Sequence, residues 1–283
     1  MSAIEALIKE INMLKPIPQI ASQIIAITED PKSSLTDIAD IVLYDPATTA
    51  SLLKICNSAY IGSSRKIDTV RDAISFLGID QVVDLMLLQG GAENLTKSQT
   101  GYGLHEGELW RHSVASALIA KDLAENKGLH QQKHIIFTAA LLKDIGKVIL
   151  DRFVSDSFDK ISYQVESKGL SFREAEKKVI GVDHAELGGL VAKMWKFSPK
   201  MIFIIANHHL SSPKAHADPE TAIVYLADTI CMMMGIGVGA DGLAYRFHKD
   251  VLDKLGVNAS DLQEIIMRFG ENMQKVEELI QAV

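Results

Sequence analysis

The sequence predicts an all-α protein built as two helical lobes. Three observations carry that prediction. Apolar residues recur at three- and four-residue spacing along nearly the whole chain, period-two alternation is almost absent, and helix start and stop residues punctuate the periodic runs. In PQIASQIIAITEDP, Ile20, Ile24 and Ile27 share one face, and Asp30-Pro31 closes the helix because a residue before proline avoids the helical region. SLTDIADIVLYDP starts on Ser34 with Asp37 three residues on, a capping-box variant. Asp45 caps the next helix, with Pro46 at its first position, where the missing N–H is not needed. TVRDAISFLG closes on Gly78, read as a left-handed C-cap. About five short helices before residue 95 follow from these patterns.

The polar stretch NLTKSQTGYG, 94–103, carries two glycines and reads as a linker. Beyond it the spacing predicts longer helices over roughly 104–126, 131–153, 171–180, 184–196, 199–209, 220–234 and 260–281. The lobes are therefore placed at 1–95 and 104–283, the second including a C-terminal helix.

The chain has 283 residues, 47% hydrophobic and 23% charged, enough for a sizeable core in one large or two moderate domains. A net charge of −7 without a compensating basic block argues against binding nucleic acid through its phosphates. Cys56 and Cys231 lie in apolar helical frames and read as buried free thiols suited to a reducing compartment. No uncharged apolar run approaches the roughly 20 residues that span a bilayer, and Glu5, Lys9 and Glu10 interrupt the N-terminus. The expectation is a cytoplasmic protein with no membrane partner.

Five places in the second lobe put polar residues on apolar helices: His112, Lys143-Asp144, His184, His208-His209 and Asp228. A carboxylate inside an apolar helix is unfavourable unless a cation or hydrogen-bond donor meets it, so Asp144 and Asp228 each require a partner from elsewhere in the fold. Imidazole nitrogens with carboxylate oxygens suit zinc, iron or manganese, and such an ion would lower the pKa of a bound water beside a phosphoester. Asp183 with Glu186 forms a capping box that sets His184 in a first helical turn, and Gly188 and Gly189 permit close helix approach. CMMMG at 231–235 reads as a core stripe. LQGGAENL at 88–95 lacks the strand and the Lys-Ser/Thr of a phosphate loop. His105, His130, His216 and His248 fall near turns or helix ends, where exposure is the ordinary explanation.

In this order the residues resemble the HD phosphohydrolase superfamily. The segments LKPIPQIASQIIAITEDP, LYDPATTASLLKICNSAY, RKIDTVRDAISFLGIDQVVDLML, HAELGGLVAKMW and NHH narrow the resemblance to the HDOD family, HD-related output domains of bacterial signalling proteins. It covers one continuous module from about Leu14 to about Asp228. The resemblance implies that the first histidine of the HD pattern is His112, the His-Asp pair Lys143-Asp144, and the distal aspartate Asp228. The departure is at Lys143: a protonated lysine has no lone pair, cannot ligate a cation and would repel one nearby. Its ammonium is expected to pair with Asp144 or Asp228 in place of an ion. His184, His208 and His209 resemble further ligands of binuclear relatives, so with Asp144 they make a half-site for a single divalent metal, iron, manganese or zinc. NHH is followed by LSSPKAHADP, without the Gly-Tyr-Pro of cyclic-dinucleotide phosphodiesterases.

The expectation is thus a regulatory module with no catalytic residue. It would act by binding a signalling protein partner or a small ligand in the groove between lobes, and "DP" 45/46 and "NSA" 57–59 would help position the lobe junction structurally. The competing reading is a residual metal-dependent phosphohydrolase acting on a nucleotide or related phosphoester.

Overall fold

The structure, a computed structural model, describes residues 3–15, 18–29, 46–57, 61, 66–271 and 277. Helices and no strands occur among them; one isolated bridge joins Gln99 to Leu104. The first lobe contributes α1 (Ala3–Met13), α2 (Gln19–Glu29), α3 (Pro46–Cys56), α4 (Val70–Leu77) and α5 (Ile79–Leu95). The second contributes α6 (Glu108–Asn126), α7 (Lys133–Leu142), α8 (Ile145–Lys168), α9 (Phe172–Ile180), α10 (His184–Met194), α11 (Pro199–Asn207), α12 (Pro213–Ala217), α13 (Pro219–Met233), α14 (Asp250–Leu255) and α15 (Ala259–Glu271). The readings at Asp30-Pro31, the helix from Ser34, the Asp45 cap and Ser58-Ala59 lie outside the described residues, as does the stretch 278–281 of the last helix.

Local chemistry sets many of these ends. Thr69 caps α4 by accepting from the Asp72 N–H. Ser171/Glu174 and Asp183/Glu186 form complete capping boxes on α9 and α10. Ser198, Ser212 and Asp218 cap α11, α12 and α13, each with proline in the first turn. Gly78 departs from expectation: its φ of 81° and ψ of 157° are not those of a left-handed cap. It links α4 directly to α5, which turn by 116° at this residue.

The helix expected over 131–153 is two helices. It breaks at Lys143-Asp144, and α8 then runs on to Lys168, where Gly169 ends it with φ 64°. Neighbours on an unbroken helix point about 100° apart. The break lets two consecutive side chains, both buried, turn toward one centre. Helix 104–126 starts only at Glu108 because Gly107 takes a left-handed φ of 81°. The stretch 94–103 is not a solvated linker. Asn94 bonds the backbone of Lys15 through both its amide atoms, the Gly101 N–H donates to Asp151, and Tyr102 is buried. CMMMG is not a core stripe either: Cys231 is buried, but it lies in the last turn of α13 and Met233 is 64% exposed.

Apolar side chains from both lobes form one contiguous core, from Ile24 and Leu52 through Leu88, Trp110 and Phe137 to Ile205 and Ile230. The lobes are also tied by polar links. Asp84 pairs with Lys121, Asp80 with Lys133 at 2.5 Å, and Ser198 donates to Glu29 at 2.6 Å. Cys56 and Cys231 are buried free thiols, and burial pushes Cys56 up to about 11. No single helix among the described residues is long and apolar enough to cross a membrane.

Candidate functional site

The break between α7 and α8 opens onto α6, α10 and α13. There Lys143, Asp144, His112 and Asp228 converge, all buried. The Lys143 ammonium, with no exposed surface, pairs with Asp144 Oδ2 and lies 2.7 Å from Asp228 Oδ1. His112 Nε2 is 2.8 Å from the same Asp228 oxygen and 3.8 Å from Asp144 Oδ2. Its Nδ1 sits 2.8 Å from the Ile236 carbonyl oxygen. Gly237 makes that contact available, because a Cβ there would overlap the Glu108 carbonyl of α6. Tyr245 donates to Asp228 Oδ2 at 2.8 Å and stacks on Tyr225.

Burial works to raise the Asp144 and Asp228 carboxyls, but the ammonium of Lys143 overrides it, and both are held well below the usual carboxylate range. Burial likewise opposes the Lys143 charge and is outweighed by the two carboxylates, so its pKa rises. The lysine is therefore a cation here and not a ligand.

A second ammonium, which the sequence reading missed, reaches the centre. Lys147 Nζ is 3.0 Å from Asp144 Oδ1 and 2.7 Å from Asp241. Both oxygens of Asp144 are thus ion-paired. The available signal was a second lysine in the otherwise apolar run LLKDIGKVIL.

The histidine cluster adjoins on the far side of Asp144. His184 opens α10, and His208 and His209 form the turn after α11. His184 Nε2 is 2.7 Å from His209 Nε2, and Asp144 Oδ1 is 3.9 Å from Nε2 of both His184 and His208. Glu176, fully buried on α9, takes His184 Nδ1 at 2.7 Å and the His184 backbone N–H at 3.1 Å, while Tyr102 donates to its other oxygen at 2.6 Å. Burial opposes the His184 charge, but Glu176 outweighs it and raises the pKa. Burial pushes His208 down to about 4, and burial with His208 beside it takes His209 well down. Glu176, Tyr102 and Tyr245 were also missed by sequence reasoning, since each partner is distant in the chain.

These two halves differ in their fitness for a metal. The His208 ring donates through Nδ1 to the Ile205 carbonyl, which leaves Nε2 a buried lone pair with no hydrogen-bond partner. With Nε2 of His184 and His209 nearby, and Glu176 orienting His184, the cluster fits one divalent cation held by the three imidazoles. Such an ion would supply a bound water of lowered pKa. The His112, Asp144, Asp228 group has the spacing of a second ligand set, but the Lys143 ammonium fills it and the residues do not fit an ion there. A cavity of about 310 Å³ opens over the cluster, lined by Arg173, His184, His209, Tyr245, Arg246 and His248.

This arrangement of His112, Lys143-Asp144, Asp228 and three further histidines is carried by an all-helical fold. The HDOD domain family profile matches residues 14–211, and the chain belongs to that family. An HDOD domain protein of unknown function from Geobacter sulfurreducens has the same fold, with a TM-score of 0.71 at 23% identity over 98% of each chain. A protein described as a candidate signal transduction protein from Marinobacter aquaeolei VT8 gives 0.76 at 19% identity over 99% of this chain and 65% of that one. One described as a candidate phosphohydrolase from Shewanella amazonensis SB2B gives 0.67 at 21% identity, over 98% and 97%. An uncharacterized protein of Treponema pallidum is 24% identical over 201 residues, 70% of this chain and 38% of its own length.

Proposed function

We propose that this chain is a regulatory module that works by binding, with an HD-like centre no longer used for turnover. One observation carries the reading: the Lys143 ammonium sits on Asp144 and Asp228, where His112 completes a ligand set. A two-ion hydrolase clamps the attacking and leaving oxygens between its metals. With one position taken by a tethered cation, that clamp has no second jaw. The candidate signal transduction relative supports the regulatory side of this reading.

For a small ligand, the reading adds to the groove between lobes the cavity of about 310 Å³ over His184 and His209. The bare Nε2 of His208 favours a second reading, a single retained metal with residual phosphoester hydrolysis. Purified protein should give no manganese-dependent turnover of generic phosphomonoesters or phosphodiesters and no ion beside residue 143, and Lys143→His should gain a bound cation. Turnover by wild type with an ion bound among His112, Asp144 and Asp228 would end the regulatory reading.

A further inference from the structure

We propose that His216, His248 and Asp250 form a second, separate binding site for a divalent transition-metal ion of the zinc class, at the rim of the cavity. It shares no residue with the HD-like centre and stands whether or not that centre turns over substrate.

One ligand atom from each of these three residues falls within 4.8 Å of the other two. His216 Nδ1 lies 3.4 Å from Asp250 Oδ2, yet it is a buried nitrogen without a hydrogen-bond partner. That separation is long for a hydrogen bond. It matches the roughly 3.3 Å between two ligand atoms that share a tetrahedral zinc at bond lengths of about 2.0–2.1 Å. The His216 and His248 rings stand edge to face, 4.7 Å between centroids.

The frame is built in advance. His216 is on α12, which Ser212 caps, and Asp250 opens α14. A small core of Leu210, Ala215, Ala222, Tyr225 and Val251 joins the two helices. The Tyr225 hydroxyl donates to the Arg246 carbonyl at 2.8 Å and accepts the His248 N–H at 2.9 Å, which fixes the backbone that carries the second imidazole.

Two imidazoles and one carboxylate favour a borderline-soft ion over magnesium or calcium, which prefer oxygen-only sets. Three protein ligands leave a fourth position open. His216 and His248 line the cavity, so that position faces it, where water or an anionic group of a cavity ligand would complete the coordination. The competitor for Asp250 Oδ2 is Lys254 at 2.9 Å, with both side chains about half exposed. Such surface pairs are weak and yield to a divalent cation.

The test is zinc titration of chelator-stripped full-length protein by calorimetry, with cobalt as an absorbing substitute. Wild type is compared with His216→Ala, His248→Ala, Asp250→Asn and, as a control, His208→Ala. The expected result is one equivalent lost from the first two, and bound in Asp250→Asn with an affinity reduced by more than the roughly tenfold typical of an outer-shell partner. That equivalent is retained in His208→Ala. Asp250 is half exposed, so its variant keeps the test valid if a histidine variant misfolds. Uptake unchanged in His248→Ala and Asp250→Asn, or no such equivalent in wild type, overturns the proposal.

Discussion

Lys143 and Asp144 are adjacent, buried and oppositely charged, and Asp228 completes the group from a helix 84 residues further on (228 − 144). Breaking a buried pair by removing one partner leaves an uncompensated charge, whereas an exposed pair contributes little. Lys143→Met should therefore lower unfolding free energy by about 3–5 kcal/mol in urea titration. Lys15→Met, which removes an exposed partner of Glu93, should change it by about 0–1 kcal/mol. Equal effects would mean that the inner pair carries no special weight. Polar letters in apolar frames made His112, Lys143, Asp144, His184, His208, His209 and Asp228 legible from sequence. Glu176 was not legible: it sits in FREAEKKVI, where charges look like a solvated helix face, and only its partners Tyr102 and His184 reveal its burial.

At the scale of elements, the crossing of α8 and α10 brings Asp144 and His184 together. A Cβ on Gly146 would overlap the His184 carbonyl oxygen and lie 2.9 Å from the Gly188 nitrogen, so only glycine permits this approach. Gly146→Ala must push the helices apart. It should destabilise by about 1–3 kcal/mol or more in the same titration and shift the His184 imidazole NMR signal. A wild-type midpoint with an unmoved signal would show that the crossing is not so tight. Helix periods, the Asp183/Glu186 box and the close approach at Gly188 and Gly189 were readable from local pattern. The break at 143–144 was not, because LLKDIGKVIL keeps helical spacing throughout and tertiary pairing alone turns two successive charges inward. The stretch 94–103 misled for the converse reason. Its polar, glycine-containing composition is that of a linker, yet Gly101 packs against the α8 backbone and Tyr102 reaches Glu176.

Across the described residues, the main core running through both lobes makes their stability mutual. Leu52→Ala in the first lobe and Ile205→Ala in the second, both fully buried, should each shift one common unfolding transition by about 2–5 kcal/mol. Two transitions, with each substitution moving only one, would show lobes that fold apart. Composition alone gave no sign that apolar contacts would join the helices on either side of residue 95. The lysine at position 143 adds a last consequence for the assembled protein. A counter-charge covalently attached as a side chain is present in every copy at fixed stoichiometry. It neither exchanges with the medium nor leaves when an ion-sequestering agent is added. On the regulatory reading, that corner of the lobe should keep its shape through scarcity or glut of trace elements.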